Sequence, residues 1–221
     1  MAQVFFMLTL LGSFLNIQLP DFFNQLFSRV NQQVTQQGLP AQTICVDAGH
    51  GGEDSGALYN DLVEEEVTLD IANRLKALLE QNGYRVVMTR MDHATALTNS
   101  QRAQICNDRR ANLLVSIHLN YNDDTTLDYT QGLYGTAQKD EKFTEFIHQT
   151  LASQMNLGDG EITDFENNML LKAQMPATLQ ETVFLSSNEE YKLLSDGTGR
   201  RQQQIAQALY TGINNWYLGN N

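Results

Sequence analysis

A chain of 221 residues, 42% of them hydrophobic, can bury one substantial core and leaves no room for several independent enzymes. Fourteen Lys and Arg against 26 Asp and Glu give a formal charge of −12, which disfavours nonspecific attachment to DNA, RNA or anionic lipid heads, so no nucleic-acid partner is expected. Charged residues make up only 18% of the chain and apolar runs recur throughout, which excludes an acidic disordered tail.

Residues 1–20 carry no charge and are rich in Phe and Leu, the composition of a signal peptide or a membrane anchor. No Lys or Arg precedes the apolar run and no small-x-small cleavage site follows it, so an uncleaved anchor is preferred over a cleaved signal. A buried N-terminal helix is the structural alternative. Residues 21–42 continue with Phe22, Phe23, Leu26, Phe27 and Val30 at helical spacing and then turn Gln-rich, which reads as a juxtamembrane helix and a tether. The globular domain is expected over 43–221.

From Thr43 onward short apolar runs alternate with amphipathic stretches, the pattern of an α/β sheet. Thr43 to Asp47 reads as a buried strand. Val67, Ile71, Leu75 and Leu78 mark a helix that Asn82-Gly83 stops, and Tyr84 to Thr89 supplies the next strand. A helix ending near Arg110 leads into the most apolar strand, Leu113 to Leu119. A loop is expected from Asn120 to Gln131, a helix from about Glu141 to Met155, a short acidic turn around Gly158 to Glu161, a strand from Ala177 to Leu185, and a C-terminal helix carrying Ile205, Leu209, Ile213 and Trp216. Together these predict a three-layer α/β sandwich whose mostly parallel sheet has about five to six strands flanked by helices.

Parallel sheets collect their chemistry beyond the C-terminal ends of the strands. There the first strand runs into Asp47-Ala48-Gly49-His50-Gly51-Gly52, and the strand after Leu113 holds Ser116-Ile117-His118-Leu119-Asn120. Each histidine taken singly could be a satisfied core residue. Two at strand ends, in a chain with four His, point to a metal once an acidic third ligand is found. Glu64-Glu65-Glu66 offers that ligand, although carboxylates in a first helical turn are also favoured by the helix dipole alone. Cys45 and Cys106 are too few for a disulfide scaffold, and two buried unpaired thiols are the favoured reading.

These blocks, together with Val67-Thr68-Leu69-Asp70-Ile71-Ala72, Thr89-Arg90 and Pro176-Ala177-Thr178-Leu179-Gln180-Glu181 leading to Phe184-Leu185-Ser186, resemble the zinc-dependent N-acetylmuramoyl-L-alanine amidases of the amidase-3 type, in the family's order and over roughly residues 43–217. The resemblance implies one zinc ion per chain, with His50, Glu64 and His118 as ligands and Glu181 as the catalytic glutamate. It implies cleavage of the amide between the lactyl group of N-acetylmuramic acid and the first L-alanine of the stem peptide by a zinc-activated water. Two imidazoles and one carboxylate leave the ion a net positive charge and an open fourth position, as that chemistry requires.

Further expectations attach to this reading. Asn120 and Arg90 are candidate contacts for the stem peptide and muramic acid, whereas His93 and His148 are expected to be exposed. Glu65 and Glu66 make the ligand's surroundings acidic, which predicts a slightly alkaline activity optimum. Some members of the family carry an insertion whose helix plugs the site. The interval from His118 to Glu181 is too short for one, so no activator is expected. Small size and an N-terminal anchor are similar to the spore-cortex, germination subclass, and the expected location is extracytoplasmic, anchored in the membrane or secreted to the wall. The alternatives are a zinc carboxypeptidase or other zinc peptidase acting on wall peptides, or a noncatalytic muropeptide-binding protein.

Overall fold

A computed structural model describes residues 42–219. The anchor expected at 1–20, and the tether at 21–42 apart from its last residue, lie outside the described residues.

The first strand, β1 (Thr43–Ala48), is followed by a hairpin of two short strands, β2 (Leu58–Tyr59) and β3 (Leu62–Val63), and by helix α1 (Glu64–Gln81). Then come β4 (Arg85–Met88), α2 (Asn99–Asp108), β5 (Leu113–Asn120) and β6 (Tyr129–Tyr134). A π-helical turn at Ala137–Glu141 leads into α3 (Lys142–Met155), followed by β7 (Gly158–Asp159), β8 (Thr163–Asp164) and α4 (Asn168–Lys172). The chain closes with β9 (Ala177–Phe184), α5 (Asn188–Leu194) and α6 (Arg200–Gly219).

The main sheet has seven strands in the order β4-β1-β5-β9-β6-β7, with β8 also paired to β6. Strands β4, β1, β5 and β9 are mutually parallel, and β6 runs antiparallel to β9. Both faces are covered, so the central strands are apolar on both sides instead of alternating with polar residues. Ile44, Val46, Leu113, Val115 and Ile117 face a core shared with α1, α3 and α6, to which Leu75, Phe143, Ile147, Leu209 and Ile213 contribute. Cys45, Leu114, Ala177 and Leu179 form the second core with Cys106 of α2 and with Met169 and Leu170 of α4. Each fully buried Leu or Ile contributes roughly 1.5–3 kcal/mol, and the three-layer sandwich expected from the sequence is the way both faces are buried at once.

The sheet is larger than the periodicity suggested. Strand β6 occupies part of the stretch read as a loop, because its Thr130, Gln131 and Gly132 dilute the apolar signal while pairing with β9 supplies the backbone partners. The β2–β3 hairpin, turned by Asn60 at φ 51°, was equally silent, being only two residues on each side. Two further expectations are corrected. Cys45 and Cys106, read as unpaired thiols, are joined in a disulfide that ties β1 to the last turn of α2, because the two elements pack together in the second core. His148 is buried, its ring held between Thr130 and Asp159, because α3 turns that face onto β6 and β7.

Candidate metal centre and catalytic glutamate

The ligand loop begins where β1 ends. His50 adopts φ 61° and is followed by Gly51 at 116° and Gly52 at 69°, a run of left-handed residues that turns the chain sharply and directs the imidazole back over the strand ends. Two buried arginines hold this strained turn by its carbonyls. Arg102 donates to the oxygens of Ala48 and His50 at 2.8 and 2.7 Å. Arg90 donates to those of Ala48 and Gly49 at 3.0 and 2.8 Å. Beneath them Asp47 accepts from Arg102, Ser116 and Thr89 at 2.8, 2.6 and 2.5 Å. Burial by itself would raise the Asp47 carboxyl, but Arg102 and the two hydroxyls hold it below the ordinary carboxylate range.

Glu64 opens α1. No side chain caps this helix. Its first N–H groups instead donate to the carbonyls of Ala57 and Ser55, so the loop that carries the helix start also places the glutamate. Glu64 Oε2 accepts from the Ala57 N–H at 2.8 Å and Oε1 from the Leu119 N–H at 3.0 Å. His118 projects from β5 with its ring edge-on to that of His50, centroids 4.7 Å apart.

These three side chains converge. His50 Nε2 lies 3.0 Å from Glu64 Oε1, His118 Nδ1 lies 3.2 Å from the same oxygen, and the two ring nitrogens are 3.1 Å apart. Ligand atoms around a tetrahedral zinc stand about 3.3 Å from one another, so a triangle of this size and donor chemistry fits that ion. Among the described residues this is the one group of three or more His, Cys, Asp or Glu side chains able to hold a metal. Two glycines leave room for it: a Cβ on Gly49 would lie 2.5 Å from the His118 ring, and one on Gly56 would lie 2.6 Å from both Glu64 Oε2 and the His50 ring.

Asp54, which drew no attention in the sequence, completes the centre. Its Oδ2 lies 2.9 Å from His50 Nδ1, placed to accept the Nδ1–H and so to leave Nε2, once it has lost its proton, facing the triangle. The short spacing from His50 to Asp54 was the available signal. Burial alone lowers the His50 pKa, but Glu64 and then Asp54 raise it to about 9. Burial would raise Glu64, yet His118 and His50 hold it far below the ordinary carboxylate range.

Glu181 lies beside His118 in the β5–β9 ladder, in mid-strand. Burial raises its pKa, with His118 opposing the shift and Glu64 adding to it. Its Oε2 is buried without a hydrogen-bond partner.

The remaining candidates divide. Asn120 ends β5, its Oδ1 accepting from the Tyr121 N–H, and stays partly exposed at the rim of the site. Arg90 is corrected: its side chain is fully buried under the ligand loop, where it also donates to the Glu65 carbonyl, and it presents nothing to a substrate. Glu65 pairs with Arg90 and His93, so its charge is largely neutralised, and Glu66 points to solvent. The physical basis for an alkaline optimum weakens accordingly. His93 is exposed as expected.

Fold and site thus define a three-layer α/β domain with a cluster able to hold a metal ion and a buried carboxylate beside it. The profile described as N-acetylmuramoyl-L-alanine amidase, amidase-3, matches residues 44–215, and the chain belongs to that family. It is 31% identical over 190 residues to the germination-specific N-acetylmuramoyl-L-alanine amidase of Bacillus subtilis, covering 79% of each chain. It is 30% identical over 179 residues to N-acetylmuramoyl-L-alanine amidase LytC of the same organism, covering 80% of this chain and 36% of that one. The chain therefore spans about a third of LytC. Among solved structures, the CwlD amidase of Clostridioides difficile, determined in complex with the GerS lipoprotein, superposes with a TM-score of 0.74 at 29% identity, covering 81% of this chain and 100% of that one.

Proposed function

We propose that this protein is a peptidoglycan hydrolase that cleaves the amide between the lactyl group of N-acetylmuramic acid and L-alanine of the stem peptide, with one zinc ion held by His50, Glu64 and His118. The observation that carries this reading is the unpartnered, buried Oε2 of Glu181 next to the ligand triangle. A carboxylate is stranded in this way only at a high desolvation cost, and its raised pKa suits a group that takes up and returns a proton near neutral pH. The family to which the chain belongs supplies the substrate class.

When bound, zinc supplies Lewis-acid polarisation of the scissile carbonyl and lowers the pKa of water. The protein's own groups do the rest. Asp54 fixes the His50 tautomer, and the Ala57 and Leu119 amides hold the two Glu64 oxygens. Glu181 accepts a proton from the attacking water and delivers it to the alanine nitrogen, which must be protonated to leave. Between His118 and Glu181, α4 packs Met169 and Leu170 into the core with Cys106. Activity without an activator is part of the proposal. A purified chain that stays inactive on peptidoglycan until a partner is added would refute this.

The proposed location is extracytoplasmic, reached through the N-terminal apolar segment. No helix among the described residues is long and apolar enough to cross a membrane, so anchoring rests on residues 1–20. The Cys45–Cys106 disulfide fits an oxidising compartment. A role in germination is proposed on the likeness to the germination-specific amidase. The deciding experiment incubates the purified full chain with peptidoglycan, with and without chelator. Release of intact stem peptides with a new alanine amino terminus supports the amidase, loss of a C-terminal amino acid indicates a carboxypeptidase, and chelator-resistant activity refutes the metal. No turnover by the zinc-loaded chain leaves only binding.

A further inference from the structure

Beside the metal centre three loops carry tyrosines that the proposed chemistry does not use. Tyr59 lies in the β2–β3 hairpin just before Glu64, Tyr121 follows the ligand strand β5, and Tyr191 is on α5 after β9. The Tyr59 and Tyr191 rings meet edge to face with centroids 5.6 Å apart. Tyr121 is 45% exposed, and its loop is tied to the chain just before α5, Asn122 N–H donating to Ser186 Oγ at 2.9 Å and Ser186 Oγ donating to the Asn122 carbonyl at 2.8 Å.

All three hydroxyls are tethered. Tyr191 donates to Asp61 at 2.8 Å, Tyr59 to Asn188 at 3.4 Å and Tyr121 to Asp123 at 3.3 Å. Asn188 in turn donates from its backbone and its side chain to Thr125, at 3.0 and 2.8 Å, which locks α5 to the loop after β5. Tethered at their polar ends, the rings keep little conformational freedom to lose on binding. The shelf joins the catalytic centre through covalent neighbours: Ala57, whose N–H holds Glu64, is two residues from Tyr59, and Asn120 stands between Leu119, whose N–H also holds Glu64, and Tyr121.

From this geometry we infer that the Tyr59–Tyr121–Tyr191 shelf is a glycan subsite that stacks against pyranose rings of the sugar strand flanking the muramic acid under attack. The inference rests on the proposed substrate. Aromatic faces are complementary to the C–H faces of pyranoses, while Asp and Asn oxygens at the rim accept from sugar hydroxyls. A peptide carboxylate is disfavoured here because the rim carries the carboxylates of Asp61 and Asp123. The shelf would thus recognise sugar in a protein that is strongly acidic overall and gains no affinity for the wall from its net charge.

The test titrates the zinc-loaded full chain with peptide-free glycan strands, made of alternating N-acetylglucosamine and N-acetylmuramic acid, using calorimetry. Tyr121→Ala and Tyr191→Ala are each expected to weaken binding about tenfold, the effect of losing one stacked ring, whereas Tyr121→Phe retains most of the affinity. Phe165→Ala, at an exposed ring on β8's flank, serves as control and is expected to bind as the parent does. Absence of glycan binding by the parent, or equal binding by the alanine variants, overturns the subsite. So does a loss confined to free stem peptide, which would make the shelf a peptide site. A parent chain that binds glycan through these tyrosines yet fails to cut the lactyl–alanine amide would refute the proposed function and leave the subsite standing.

Discussion

Glu181 and His118 are paired across the β5–β9 ladder, and the register slips immediately afterward, the three steps along β9 from Glu181 to Phe184 matching two along β5 from His118 to Asn120. The extra residue is a β-bulge, a device that re-aims side chains next to active sites. Before it, Ala177 and Leu179 face the α2 and α4 side; after it, Val183 and Leu185 face the α1, α3 and α6 core. Glu181 therefore stays beside His118 while the strand beyond it still buries its apolar residues.

Replacing that glutamate separates chemistry from stability. Glu181→Gln is expected to lower kcat by roughly 10²- to 10⁴-fold, the contribution typical of general acid–base catalysis, with zinc content unchanged. The Glu181 pKa is raised on folding, so its charged form opposes folding once the pH exceeds the unfolded carboxylate value. At pH 8 the Gln variant should melt no lower than the parent. Turnover within threefold of the parent would remove Glu181 from the mechanism.

Asp54→Ala removes the acceptor that sets the His50 tautomer. Outer-shell partners of this kind are worth about 10- to 100-fold in metal affinity, and competition with a chelator of known affinity measures it. Unchanged zinc affinity would show that the hydrogen bond is incidental.

His50 titrates at about 9 in the metal-free protein, raised above its unfolded value by Glu64 and Asp54 against the opposing effect of burial. Its contribution to metal-free stability is therefore full below about pH 6.5 and lost as the pH climbs through about 9. Melting temperatures in chelator should fall between pH 6.5 and 9.5, with a smaller fall in zinc-loaded protein. Zinc must displace this proton, so uptake at pH 7.5 should release about one proton per ion, measured by calorimetry in buffers of different ionisation enthalpy. Uptake without proton release would contradict the geometry.

Three glycine-to-alanine variants distinguish a blocked site from backbone strain. Gly49→Ala and Gly56→Ala place a Cβ within 2.6 Å of ligand side chains and should abolish zinc binding. Gly83→Ala, at φ 86° with nothing within 4 Å of its added Cβ, should cost about 1 kcal/mol in stability and leave zinc content intact. Equal zinc content in all three variants would argue against the close approach.

The disulfide closes a separation of 61 residues. Loop-closure entropy then assigns it about 4 kcal/mol, and a Cys45→Ser, Cys106→Ser double variant should lose roughly 2–4 kcal/mol in urea unfolding. No loss would mean that the two thiols are not paired in the folded protein.

The order of elements and the buried parallel strands were legible in the sequence, because apolar periodicity is a local property of the chain; His50, Glu64 and His118, the group able to hold a metal, and Glu181 were singled out through the resemblance of their motifs. Strand β6 was not, since its pattern is diluted by Gly and polar residues and only pairing with β9 makes it a strand. Arg90 illustrates the other limit. A lone arginine after a strand reads as a substrate contact, and only the packed loop above it shows that its donors hold the carbonyls of Ala48, Gly49 and Glu65. Asp54 behind His50 and the Cys45–Cys106 bond depend on the same packing. Sequence determined which chemical groups the chain possesses and which faces it must bury; tertiary structure decided which of those groups meet, because hydrogen bonds and ligand geometry depend on distances of a few ångströms between segments far apart along the chain.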